Sequence, residues 1–101
     1  MIKIEATVPK RDNEGNLFRT ADFLKVETYL LTAVGGYSSY EASGAWKDTD
    51  GKVYYDHSIV YVAVVPDLLA DSICESLKNI ILNDFRQLSA WITQSPITVY
   101  N

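Results

Sequence analysis

Cysteine and histidine each occur once in this 101-residue chain, as Cys74 and His57. That scarcity excludes an intrachain disulfide and any metal site built from several thiolates or imidazoles. Basic residues are also short: nine Lys and Arg against 13 Asp and Glu leave a net charge of -4. The chain therefore lacks the surplus that binds phosphate backbones without sequence preference, and no nucleic acid partner is expected. No run approaches the ~18 consecutive apolar residues of a membrane helix. The opening MIKIEATVPK alternates apolar and polar residues where a signal peptide would be continuously apolar. The expectation is a soluble, cytoplasmic protein with no membrane partner. What is present is 48% hydrophobic and 22% charged, with only three prolines and five glycines. That balance belongs to a folded domain, and the length holds one, residues 1–101.

The pattern along the chain gives the elements. From Ile2 to Val8, Ile2, Ile4, Ala6 and Val8 share one face and Lys3, Glu5 and Thr7 the other, the period of a strand. A polar loop, Pro9 to Arg19, leads to Thr20, the expected N-cap of a helix that runs to about Val34 and stops at Gly35-Gly36. At helical spacing Phe23, Leu24, Leu30, Leu31 and Val34 form its apolar stripe. Tyr37 to Trp46 and Lys52 to Val65 have strand composition, and Asp48-Thr-Asp-Gly51 between them makes a hairpin turn. After Pro66, with Asp67 as a cap, Leu69, Ile73, Leu77, Ile80, Ile81 and Phe85 mark a second helix ending near Gln87. A last strand, roughly Ser89 to Tyr100, is expected at an edge and bulged at Gln94-Ser-Pro96, because proline cannot donate to a ladder.

The order β-α-β-β-α-β with right-handed crossovers leads to an α+β, ferredoxin-like sandwich: an antiparallel four-stranded sheet, first and third strands central, two helices on one face. The other face starts bare. Ile59-Val-Tyr-Val-Ala-Val-Val65 is nonetheless apolar at odd and even positions alike, so a second layer should cover Tyr61 or its neighbours. A second copy of the chain, as dimer or trimer, is the expected cover; the last strand or the long loop folding over is the alternative.

Few residues carry chemistry. Glu27 sits near the middle of the first helix's apolar stripe, where burial would prepare a general acid or base. The plainer reading has it at the stripe's margin, or hydrogen-bonded to tyrosine or backbone. His57, with Glu41 and Asp56 nearby on the hairpin, could shuttle a proton, or could simply be a solvent-facing strand histidine. Cys74 lies in the apolar stripe of the second helix, and no Ser stands in a G-x-S-x-G turn, so no nucleophile is assigned and no catalytic residue beyond the candidates Glu27 and His57. Asp48, Asp50 and Asp56 read as turn and hairpin chemistry more readily than as a calcium loop.

Lys10, Arg11 and Arg19 bracket the first loop, where both helix N-termini are expected to emerge and could favour an anion. There is no glycine-rich phosphate cradle, and no cofactor is implied. Trp46, Tyr54, Tyr55, Tyr61 and Trp91 could line a ligand cleft or fill core and interface. Trp46, Tyr54, Tyr61 and Arg19 are the ligand-binding candidates.

The run Gly35-Gly-Tyr-Ser-Ser-Tyr-Glu-Ala-Ser-Gly-Ala-Trp46, then Asp50-Gly51, an apolar strand and a helix ending in Phe85-Arg-Gln87, resembles a family of small bacterial ferredoxin-like domains of unknown function with a Gly-x-Trp strand end. That resemblance covers most of residues 20–100. Gly35-Gly36 after the first helix and Val64-Val-Pro-Asp67 before the second are similar to the wider PII-like and CutA-like group, which implies a trimer with ligand clefts between subunits. The long ligand-reading loop of PII proteins is cut here to Lys47–Lys52 and their basic nucleotide-binding stretch has no counterpart, so adenine-nucleotide sensing is not carried over.

Together these features point to a non-catalytic, homo-oligomeric domain that binds a small ligand or a protein partner. The alternatives are a ferredoxin-like isomerase or lyase using Glu27 or His57, and a pure scaffold.

Overall fold

A computed structural model of the protein describes residues 1–100. Strands β1 (Ile2–Pro9), β2 (Ser38–Lys47), β3 (Val53–Val65) and β4 (Trp91–Pro96) form one sheet in the order β2-β3-β1-β4, every neighbour antiparallel. Helices α1 (Thr20–Ala33) and α2 (Ala70–Asn83) cover one face, α2 after a short 3-10 turn, Asp67–Leu69. This is the α+β ferredoxin-like sandwich, with β1 and β3 central.

The core follows from two periodicities. Ile4, Ala6 and Val8 of β1 lie opposite Ala63, Tyr61 and Ile59 of β3, so these side chains share the helix-covered face. Ile73, Leu77, Ile81 and Phe85, spaced by one turn, lay α2 along them. Phe85 meets Phe18 and Phe23 at ring-centroid distances of 4.9 and 5.5 Å, closing one end of the core.

Several expectations need correction. Arg19, not Thr20, is the N-cap of α1, and its backbone N–H donates to the Asp22 carboxylate at 2.8 Å. Val26 and Leu30 are the buried residues of that helix, whereas Leu24 and Leu31 face solvent, because the stripe that fits the sheet runs Phe23, Val26, Leu30, Val34. Asp67 does not cap α2; its carboxylate binds the Met1 ammonium at 2.8 Å. That contact sets the start of α2 at the N-terminal end of β1, while α1 starts at the other end, so the two helix N-termini do not share one end of the sheet. Strands β1 and β3, which precede the two helices, run in opposite directions, and the helices that follow them must as well. Strand β4 is shorter than expected and unbulged; Pro96 sits opposite Ile2 at its end, on an edge where its missing donor costs no ladder bond.

The β2–β3 hairpin outruns the sheet. Its ladder continues from Ser43↔His57 to Lys47↔Val53, past the last β1 pair, Pro9↔Ser58. The radius of gyration is accordingly 14.4 Å, against about 13 Å for a compact chain of this length. Asp48 holds the tip: its Oδ1 accepts the N–H groups of Asp50 at 3.0 Å and Lys52 at 2.9 Å, and Gly51 takes the positive φ of +87° that the turn demands.

Candidate functional site

Strand alternation sends the remaining side chains to the uncovered face, and the register sorts them into rows. Tyr40, Val60, Thr7 and Trp91 form one row across all four strands. Val62 and Val64 follow towards one end of β3. Towards the hairpin tip come Ala42 with Ser58, Gly44 with Asp56, and Trp46 with Tyr54. Trp46 and Tyr54 stack at 4.4 Å with an interplanar angle of 14°. Tyr40 remains 51% exposed, Trp46 53% and Trp91 74%, so an aromatic and aliphatic surface lies open to water.

Tyr61 is not on that face. It is buried under the helices, so the residues left for a second layer are its even-numbered neighbours Val62 and Val64, Val60 being already buried. Its hydroxyl donates to Glu27 Oε2 at 2.6 Å, and its ring meets that of Tyr37 edge-on at 5.7 Å. Burial, the Glu27 hydrogen bond and the Glu27 charge, in that order, push the Tyr61 hydroxyl far above its ordinary value. Tyr37 is also raised, first by burial and then by the Glu27 charge. Glu27 thus stands at the margin of the α1 stripe, half-buried with a tyrosine donor, as the plainer reading had it.

His57 projects from the helix side of the overhanging hairpin, where no helix reaches it. Its Nδ1 lies 3.2 Å from Ser43 Oγ, its cross-strand partner. Glu41 is on the same side and binds Lys10 Nζ at 2.6 Å; the Lys10 hydrogen bond and charge, with a smaller contribution from His57, hold its carboxyl below the ordinary range. Asp56 alternates to the opposite face, so it does not join them.

Arg19 lies elsewhere. With Phe18, Asp22, Lys25, Asp84 and Arg86 it lines a cavity of about 490 Å³ between the first loop and the end of α2. The four ligand-binding candidates therefore divide: Trp46 and Tyr54 stand together on the open face, Tyr61 is in the core, and Arg19 is on the first loop. Sequence reading passed over Tyr37 and Ser43. Ser43 was within reach of it, because counting outward from the Asp48–Gly51 turn pairs 46 with 54 and hence 43 with 57.

By sequence, no family model matches the chain, and no curated protein does either. By structure, the neighbours are CutA1-like. A single-substitution variant of CutA1 from Pyrococcus horikoshii OT3 superposes with a TM-score of 0.70 at 16% identity, over 100% of this chain and 87% of that one. The periplasmic divalent cation tolerance protein CutA from Archaeoglobus fulgidus gives 0.70 at 10% identity, over 100% and 88%. A phage SAM lyase in complex with S-methyl-5'-thioadenosine gives 0.69 at 13% identity, over 93% and 79%. At such identities the likeness establishes the fold alone. No helix among the described residues is long and apolar enough to cross a membrane.

Proposed function

We propose that the protein works as a homo-oligomer, a dimer or trimer, whose copies meet over the open sheet face and enclose a cleft that binds a small ligand or a protein segment. The carrying observation is that face: Tyr40, Val62, Val64, Trp91 and the Trp46–Tyr54 stack lie on one uncovered sheet surface, with Val60 among them already buried. Water disfavours large exposed aromatic and aliphatic side chains of this kind, and an ordinary interface buries roughly 800 Å² per partner. A second copy suits it because the face carries both signs of charge, Lys3 Nζ lying 3.5 Å from Glu5 Oε1, so like faces need not repel. The CutA-like fold supports a binding role, and the half-buried thiol of Cys74 suits the cytoplasm.

Size-exclusion chromatography with light scattering at micromolar concentration tests this. The expected mass is a multiple of 11.3 kDa, and Val62→Asp should return the protein to a monomer. A native protein that is strictly monomeric overturns the reading.

A second reading rests on the 2.6 Å bond between Tyr61 and Glu27: a lyase or isomerase using Glu27 as acid or base, on a fold that also serves the phage SAM lyase. His57, paired to Ser43, is the other candidate. Turnover lost in Glu27→Gln with the fold retained would favour this second reading.

A further inference from the structure

The β2–β3 ladder stops one rung short of what β3 offers. Lys10 N–H donates to the His57 carbonyl at 3.0 Å, and Asp48 N–H donates to the Lys52 carbonyl at 3.0 Å. Carried along the two registers, these bonds turn the backbone groups of the odd-numbered β3 residues to β1 and those of the even-numbered ones to β2. Val62 meets Ser38, the first residue of β2. By the same count Val64 belongs opposite Gly36, but the chain leaves α1 through Gly35, at a φ of +93°, and Gly36 and Tyr37 stay outside the ladder. No backbone hydrogen bond joins Val64 to them. Its N–H and C=O instead face a notch of about 430 Å³, walled by Gly35, Gly36, Tyr37 and Ser38 on one side and by Val62 and Val64 on the other. A Cβ placed on Gly36 would meet nothing within 4 Å, so the notch is open. An unpaired edge of this kind is a template for an added strand.

A segment without a partner lies at the opposite edge of the sheet. Pro96 ends β4, and Ile97 adds one more bond, its N–H donating to the Met1 carbonyl at 3.0 Å. Thr98, Val99 and Tyr100 follow, three strong strand formers that lie exposed and make no backbone hydrogen bond among the described residues. Their own chain cannot seat them in the notch. Strands β1 and β3 stand between, which puts the notch three strand spacings, ~14 Å, from the line of β4, whereas Ile97 to Tyr100 spans at most ~11 Å.

We infer that residues 98–100 of one copy add as a short strand beside β3 of another, exchanging backbone hydrogen bonds with Val64 and supplying the rung that Gly36 leaves empty. Charge permits it: the notch and the segment carry no charged side chain, in a chain whose net charge is -4, so their union takes no ion out of water. The absence of a side chain on Gly36 keeps the space beside Val64 free for a foreign backbone. Notch and segment lie at different edges, so each copy gives one strand and receives one, a contact that closes reciprocally or as a ring. Val62 and Val64 belong both to the notch and to the open face, so the added strand continues the contact already proposed. The inference deepens the assembly reading, names the segment that crosses between copies, and rests on that reading.

The test is amide hydrogen exchange of the full chain, with the mass measured by light scattering in the same samples. Two variants accompany it: a chain ending at Ile97, which keeps the bond to Met1, and Gly36→Leu, whose side chain fills the notch from a position where a Cβ meets no neighbour. In the native assembly the Val64 N–H, which has no acceptor in a single copy, should exchange slowly. In both variants, with the rest of the exchange pattern preserved, it should exchange about tenfold faster or more, and association should weaken by a similar factor. An assembled native protein whose Val64 amide exchanges freely overturns this inference alone. So does a chain ending at Ile97 that assembles and protects Val64 as the native one does, because another strand or surface then covers the notch. A native protein that is strictly monomeric overturns the assembly reading and this inference with it.

Discussion

The Tyr61 hydroxyl donates to the Glu27 carboxylate at 2.6 Å and so ties the middle of α1 to the centre of the sheet across the helix–sheet boundary. A carboxylate on the margin of an apolar stripe would otherwise need water, and a tyrosine buried under two helices would otherwise have a hydroxyl without a partner. Each satisfies the other. Tyr61→Phe should destabilise the fold by ~1.5–3 kcal/mol, the range for a lost hydrogen bond to a charged group. Urea denaturation at neutral pH checks this, and a Tyr61→Phe protein as stable as the native one would show that water replaces the donor freely.

Alkaline pH probes the same pair through a different observable. The fold holds the Tyr61 proton well above the ordinary tyrosine value of 10.0, through burial first and Glu27 second, whereas the unfolded chain releases it near that value. Above about pH 10 the unfolded state binds fewer protons than the native one, so stability falls as pH rises, by at most ~1.4 kcal/mol per unit from this group; below pH 10 its contribution is fully present. Denaturation midpoints at pH 9 and pH 11 should diverge in the native protein and less in Tyr61→Phe. Glu27→Gln should bring the Tyr61 ionisation down, as read by ultraviolet absorbance, because it removes the charge that opposes phenolate formation.

Most of this architecture was legible because it follows from periods of two and 3.6. Ile2 to Val8 and the Ile73–Leu77–Ile81–Phe85 ladder each permit one packing, and the Asp48–Gly51 turn has its own chemistry, so the fold follows from them. Side-chain direction on the hairpin was harder. Ile59 to Val65 is apolar throughout, and such a run does not say which parity faces the helices; only the pairing of Ala6 with Tyr61 decides it. Tyr61 was therefore misplaced and, with it, part of the candidate site. Glu27 was recognisable as a carboxylate among apolar neighbours, but its partner is on a strand 34 residues away, a separation no local pattern encodes. Grouping Arg19 with the aromatic candidates failed for a similar reason: residue type shows what can bind, and topology shows what stands together.

Phe85 measures how much the α2 ladder and the aromatic cluster contribute together. It is fully buried, follows a helix whose C-cap is Asp84, and meets both Phe18 and Phe23. Phe85→Ala removes a ring from a site that the two remaining aromatic rings cannot fill, so a loss of about 3–5 kcal/mol is expected. In a domain of this size that is a large part of the total stability. The thermal melt should show it directly, and Phe85→Leu, which retains more of the volume, should recover more than half of the loss.

Glu41 offers a test of the hairpin's helix-facing side, where His57 and Ser43 also stand. Lys10 belongs to the end of β1 and the start of the first loop, so its contact with Glu41 at 2.6 Å pins the base of the overhanging ribbon to the body. Both partners are near the surface, and exposed pairs of this kind contribute little to stability; the effect to seek is on titration. Lys10→Met should raise the Glu41 carboxyl towards the ordinary carboxylate range, because the hydrogen bond and the positive charge that depress it both disappear. His57→Asn should raise it less, since the imidazole contributes only the smaller part and only while protonated. Carbon-detected NMR titration of Glu41 in the three proteins would establish the order native, His57→Asn, Lys10→Met. A reversed order would mean that the imidazole, not the ammonium, governs this side of the ribbon.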